Sequence, residues 1–132
     1  MIVFDASSIV SAALKADSIP ERALLQANEV DVFALSVAVD TEIAEVLNRR
    51  KFARAISQRR RDRFLRLMRD AAIWFDPAAR VTECRDPKDD KYLELALASG
   101  AEIIVSSDDD LLVLNPWRGV RIVKPADYLA LF

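Results

Sequence analysis

The sequence predicts an α/β domain with a central parallel sheet of four to five strands flanked by helices, in α/β/α layers. Three observations lead there. Short apolar runs at residues 1–4, 32–35, 73–75, 103–105 and 120–123 alternate with longer helical segments, the order that builds a parallel sheet. Ile103, Ile104 and Val105 form a continuous apolar run, the pattern of a strand covered on both faces. The 132 residues contain no linker, repeat or low-complexity stretch, so residues 1–132 read as one domain, long enough to bury a core.

The elements follow in order. Residues 1–4 form a strand with Asp5 at its C-terminal tip, and Ser7 and Ser8 are positioned to cap a helix through about Ala16. Pro20 suits the first turn of a second helix to about Asn28. After the strand at 32–35, Ser36 is an N-cap for a helix to about Asn48. Residues 49–56 are a basic loop or broken turn, and Ser57 caps a long helix to about Ala72 with Phe64, Leu65 and Met68 as its apolar stripe. The strand at 73–75 is stopped by Pro77, and a loop leads to Lys88. Tyr92, Leu93, Ala96 and Leu97 then mark one helical face, with Gly100 as its left-handed C-terminal stop. The strand at 103–105 leads into a short helix, Pro116 and Gly119 mark a turn, and Pro125 opens a closing helix.

Composition narrows the chemistry. Histidine is absent, which excludes a Ser-His-Asp triad, a Cys-His pair and the usual His-containing zinc sites. Catalysis would run on carboxylates, hydroxyls, lysine or a metal. The single cysteine, Cys84, cannot form an internal disulfide, and neither a signal-peptide layout nor an apolar run of transmembrane length is present; a cytoplasmic setting is the expectation. Net charge is −2, yet residues 48–70 carry ten Arg or Lys against two Asp. A basic segment beside acidic clusters suits a protein that binds both a polyanion and a divalent cation; the simpler reading is a solvated arginine-rich helix face. No GxGxxG or GxxxxGK[ST] pattern occurs, which argues against a nucleotide-cradling loop.

Acids fall where such a sheet places ligands. Asp86, Asp89 and Asp90 open one helix, and Asp108, Asp109 and Asp110 follow the next strand. Helix starts and strand C-terminal ends share one edge of an α/β sheet. At about 100° per residue, Glu42 lies at the margin of the face formed by Val39, Ile43, Val46 and Leu47, with Asp40 and Glu45 further towards solvent. Asp89 falls on the line of Tyr92, Leu93 and Ala96, and Asp90 to one side. Each acid alone has an ordinary explanation as a cap or a surface group. Together, Asp5, Glu42, Asp89 and Asp108 can reach one edge. Four carboxylates in a pocket repel, and a hard divalent cation relieves that repulsion. Such a cation favours phosphodiester hydrolysis, although two carboxylates alone could hydrolyse a glycoside.

These segments carry a family resemblance over essentially the whole chain. IVFDASSIVSAAL resembles the first strand and helix of PIN domains, LSVAVDTEIAEVLNRRKF the second motif, DPKDDKYLELALASGAEIIVSSDDDLL the third and fourth, and KPADYLALF the closing segment. Within that family the chain resembles the branch of toxin components of toxin–antitoxin pairs, related to VapC-type toxins. The resemblance implies a Mg²⁺- or Mn²⁺-dependent endoribonuclease acting on RNA, a small antitoxin protein as partner, and a homodimer. It implies catalytic and metal-holding roles for Asp5, Glu42, Asp89 and Asp108, with Asp110 at a frequent extra acidic position and Ser7 and Ser106 supporting them. Ser7 stands where the family commonly has Asn, and Ser106-Ser107 where it has Thr-Gly or Thr-Arg. Arg49, Arg50, Lys51 and Arg54 are the candidate RNA contacts. The alternative is a catalytically silent PIN scaffold that binds RNA or a protein. Phosphoaspartate hydrolases fit less well, because the second acid expected two residues after Asp5 is Ser7; receiver domains fit less well because, although Lys124 could supply their late lysine, the acid pair at the first strand and the central phosphoacceptor strand are missing.

Overall fold

The computed structural model describes residues 1–132, which form five short strands and seven α-helices. The strands are β1 (Ile2–Phe4), β2 (Ala34–Leu35), β3 (Ile73–Trp74), β4 (Ile103–Val105) and β5 (Arg121–Val123). The helices are α1 (Ala6–Leu14), α2 (Ile19–Val30), α3 (Val37–Leu47), α4 (Gln58–Ala71), α5 (Asp90–Ser99), α6 (Asp109–Leu112) and α7 (Pro125–Leu129).

All strand pairs are parallel, but the expected single sheet of four to five strands is smaller. β1, β4 and β5 form a three-stranded sheet with β4 in the centre, and β2 and β3 form a separate two-stranded ladder. One bridge, Ile2 to Phe33, and the bond from the Ile2 N–H to the Val32 carbonyl (3.0 Å) join the two. The strands are only two or three residues long, so each ladder has few bonds to propagate across the sheet. β3 lies at the outer edge, where Ile73 and Trp74 are exposed.

The core packs from both sides of β4. Ile104 in its middle is fully buried, as are Ile2, Val3, Ile43, Leu47 and Leu93. On α5 the buried face carries Tyr92, Leu93, Leu95 and Ala96, whereas Leu97, expected on that face, is exposed. Gly100 ends α5 at φ 68°, in the left-handed region expected of it. On α4, Leu65 and Met68 are buried together with Arg61, and Phe64 is half-buried.

Capping follows local chemistry, with one correction. Ser36 and Ser57 cap α3 and α4 as expected, accepting from the backbone N–H groups of Val39 and Arg60. Ser36→Ala should destabilise the fold by about 1 kcal/mol in denaturant unfolding, since the buried Val39 N–H loses its acceptor. The cap of α1 is Asp5 rather than Ser7 or Ser8; its Oδ1 accepts from the Ser8 N–H at 2.9 Å. Asp5 sits at the turn from strand to helix with extended backbone, the conformation an N-cap requires.

Candidate metal and nuclease site

The strand order carries the site. From β1 the chain passes to β2 on one side, while β4 pairs with β1 on the other. The C-terminal ends of β1 and β4 therefore flank the point where the winding reverses, the usual ligand crevice of such sheets. Asp5 follows β1 and Ser106 follows β4. Parallel register sets them side by side, with Phe4 opposite Val105 and the Asp5 N–H on the Val105 carbonyl at 3.0 Å.

Ser106 ties the two strand ends together. Its hydroxyl donates to Asp5 Oδ2 at 2.5 Å and accepts the Asp108 N–H at 2.9 Å. Ser7 Oγ also donates to Asp5 Oδ2, at 3.1 Å. Burial raises the Asp5 carboxyl above its ordinary range, and the hydrogen bonds from Ser106, Ser8 and Ser7 oppose that shift. Asp5 is thus a fully bonded, buried acid that fixes the geometry of the strand ends.

Asp89 is a different case. It opens α5, but its side chain makes no capping bond. It is 9% exposed, and its Oδ2 is buried with no hydrogen-bond partner. One carboxylate oxygen each from Asp89, Asp108 and Asp110 lies within 4.8 Å of the others. Burial, the neighbouring Asp108 and the charges of Asp108, Asp86 and Glu42 push the Asp89 carboxyl up to about 7. Asp108 caps α6 through the Asp110 N–H at 2.9 Å, which engages its Oδ1. Asp110 faces Arg85, which donates to both its oxygens at 2.8 and 3.2 Å and lowers its carboxyl pKa.

Glu42 reaches the same edge from α3 but stands outside that tight trio. Both of its oxygens have partners. Tyr92 Oη donates to Oε1 at 2.6 Å, and Lys91 pairs with Oε2. Tyr92 Oη in turn accepts the Ala6 N–H at 3.1 Å, joining α5, α1 and α3. Burial, followed by Glu42, raises the Tyr92 phenol, which keeps it a donor. Glu45 is exposed, as its helical phase implies. Asp40, expected towards solvent, is instead half-buried in an ion pair with Arg69 at 2.8 Å. Asp90, expected to one side, is buried; its Oδ1 accepts the N–H groups of Glu83 and Cys84, and it serves the loop before α5.

A groove of about 380 Å³ runs beside the acids between α3 and the start of α5. Arg49, Lys88 and Lys91 line it together with Glu42, Glu45 and Asp89. Of the four candidate RNA contacts, Arg49 alone is on its wall; Arg50, Lys51 and Arg54 are exposed beyond it, and Lys51 lies over the Phe52 ring. Lys91, Tyr92 and Arg85 are the site residues that sequence reasoning missed. A buried tyrosine on an apolar helix face needs a hydroxyl partner, and that signal was available for Tyr92. Nothing local pairs Lys91 with a glutamate 49 positions away.

Cys84 lies beside these acids. Burial, then Asp90, Asp89 and Asp108, push its thiol up to about 12. Alkylating reagent at pH 8 should therefore modify Cys84 only after unfolding, which mass spectrometry with and without denaturant would read.

The family of PIN domains matches residues 1–110, from β1 into α6. The chain belongs to the PIN domain family. PIN domains are generally nucleases and typically use a divalent metal, so the acidic edge stands in a nuclease class of fold. β5 and α7 lie beyond the matched residues of this PIN domain. Searches of curated proteins and of solved structures gave no match. No helix of this PIN domain is long and apolar enough to cross a membrane.

Proposed function

We propose that this PIN domain is a metal-dependent endoribonuclease that hydrolyses RNA phosphodiester bonds, and that it is the toxin of a toxin–antitoxin pair. The observation that carries the nuclease reading is Asp89: a buried carboxylate with a free oxygen, no capping duty, and two further acids within reach. An all-oxygen donor set of this kind fits Mg²⁺ or Mn²⁺ rather than a soft metal. Asp89 and Asp108 would hold the cation, with Asp110 joining them, while Asp5 and Glu42 hold and orient its water shell. The bound cation would make a water more acidic and neutralise charge building on the phosphate. Ser106 and Ser7 keep the Asp5 carboxylate fixed, and Ser106 also holds the backbone before Asp108. Tyr92 keeps Glu42 aimed at the edge. Arg49, with Arg50, Lys51 and Arg54 beyond it, offers phosphate contacts along the groove.

An apolar groove of about 430 Å³ between α2 and α4, lined by Leu24, Leu25, Phe33, Phe64, Leu67 and Met68, supports a protein partner. A small antitoxin or a second copy in a homodimer would cover the exposed Leu25 and Leu67.

The test is cleavage of total RNA by the purified protein with Mg²⁺, Mn²⁺ or EDTA, beside a folded Asp5→Ala control. Cleavage that requires metal and disappears in the control supports the nuclease. A second reading, a silent PIN scaffold, draws on the pairing of Glu42 with Lys91 and of Asp110 with Arg85, which already neutralises two of the acids. Absence of both cleavage and metal binding would move the reading there.

A further inference from the structure

Two cations of the chain itself sit on the acidic edge, and they differ in kind. Arg85 meets Asp110 from an exposed position, with its side chain 85% accessible, as an ordinary surface pair does. Lys91 is 19% accessible and pairs with a Glu42 side chain that is 28% accessible. Lys91 stands on α5 two residues after Asp89 and lies against the Tyr92 ring, 5.6 Å from its centroid. It lines the groove beside the acids, and it also lines a second cleft with Ser36, Phe75, Arg80 and Glu94. Lys91 therefore borders open space on two sides while it pairs with Glu42. In the groove, Arg49 and Lys88 form no ion pair with any carboxylate, so an anion entering there meets cations that are already free.

We infer that Lys91 is the resident counterion of Glu42 in the metal-free protein, and that cation binding at the acids hands it over to a phosphate in the groove between α3 and α5. The inference rests on the nuclease reading. Its physics is charge balance. A half-buried Glu42 next to other carboxylates needs a compensating charge, and Lys91 supplies one. A divalent cation arriving beside Asp89 and Asp108 satisfies those acids and repels Lys91. A lysine on a flexible stem then finds its best remaining partner in a phosphate lying between itself, Arg49 and Lys88. Lys91 is thereby a positioning residue that keeps Glu42 in place before the metal arrives and contacts substrate afterwards.

Two opposite effects distinguish this role from a structural one. Mg²⁺ is titrated calorimetrically into the wild type, Lys91→Met and Lys91→Arg, each checked for folding by thermal melting. Adenosine 5′-monophosphate, which has a phosphate but no phosphodiester to cleave, is then titrated in saturating Mg²⁺. Lys91→Met should bind Mg²⁺ about threefold to tenfold tighter, because a repelling charge is gone, and the mononucleotide about threefold to tenfold more weakly. Lys91→Arg, which keeps the charge, should bring both affinities back towards the wild type; if Lys91→Met does not fold, Lys91→Gln, which is uncharged but polar, takes its place and must show the same two opposite shifts. Equal or weaker Mg²⁺ binding by folded Lys91→Met, or unchanged mononucleotide binding, overturns the inference and leaves the nuclease reading standing. A wild type that binds no Mg²⁺ overturns both.

Discussion

Asp89→Asn is expected to lower metal-dependent RNA cleavage by at least about a hundredfold, since loss of a group that merely supports a metal ligand already costs ten- to a hundredfold. The same change should stabilise the metal-free protein above neutral pH. The Asp89 carboxyl is pushed from an ordinary value near 4 up to about 7 by burial and by Asp108. Between those values the folded chain holds a proton that the unfolded chain has released. The Asp89 contribution to the stability of the metal-free wild type therefore falls as pH rises from about 4 to about 7 and is level beyond. Asn carries no charge and escapes this penalty. The variant should exceed the wild type by on the order of 1–2 kcal/mol at pH 8, allowing for solvent on the open side of the cluster, and the difference should vanish near pH 4. Urea melts at pH 4, 6 and 8 in EDTA would show it. Adding Mg²⁺ at pH 8 should reverse the order, raising the melting temperature of the wild type and leaving Asp89→Asn unmoved. A variant less stable than the wild type at pH 8 in EDTA would mean that the Asp89 carboxylate has a stabilising partner, and the metal-site assignment would lose its main support.

Tyr92→Phe should have the second large effect, this time on both stability and activity. The ring is 1% exposed and keeps its packing in the variant, so the change isolates the hydroxyl. Two bonds go: the one donated to Glu42 Oε1 and the one accepted from the Ala6 N–H in the first turn of α1. A buried N–H left without an acceptor costs about 1–3 kcal/mol, and denaturant unfolding at pH 7 should show a loss in that range. Glu42 would remain held by Lys91 alone, and cleavage should fall about tenfold, the lower bound for losing an outer-shell partner of a metal site. A Tyr92→Phe, Glu42→Leu cycle, in which residue 42 can no longer accept from the phenol, separates the two losses. The Ala6 term appears in both backgrounds, and only the Glu42 term is non-additive. An additive cycle would show that the hydroxyl serves the helix start and not the acid.

Much of this molecule follows from its sequence alone. The continuous apolar runs and the Ser36, Ser57 and Gly100 punctuation determine where elements start and stop, because caps and periodicity are local physics within one or two turns of chain. The same local reading puts acids at two strand ends and one helix start. Tertiary structure decided which of them are free. Asp5 is both the cap of α1 and the acceptor of the Ser106 hydroxyl, 101 residues later in sequence. Asp90, the aspartate next to Asp89, is consumed by loop backbone, while Asp89 keeps an unbonded oxygen. Asp40 and Glu42 share a helix, yet one is paired with Arg69 and the other with Lys91. The short strands likewise left the division into three- and two-stranded ladders open until packing set it. Chain spacing fixes the direction in which a carboxylate leaves its helix. Whether it then meets a loop N–H a few residues back, as Asp90 does, or a cation dozens of residues away, as Asp40 and Glu42 do, is set by the fold that brings them together.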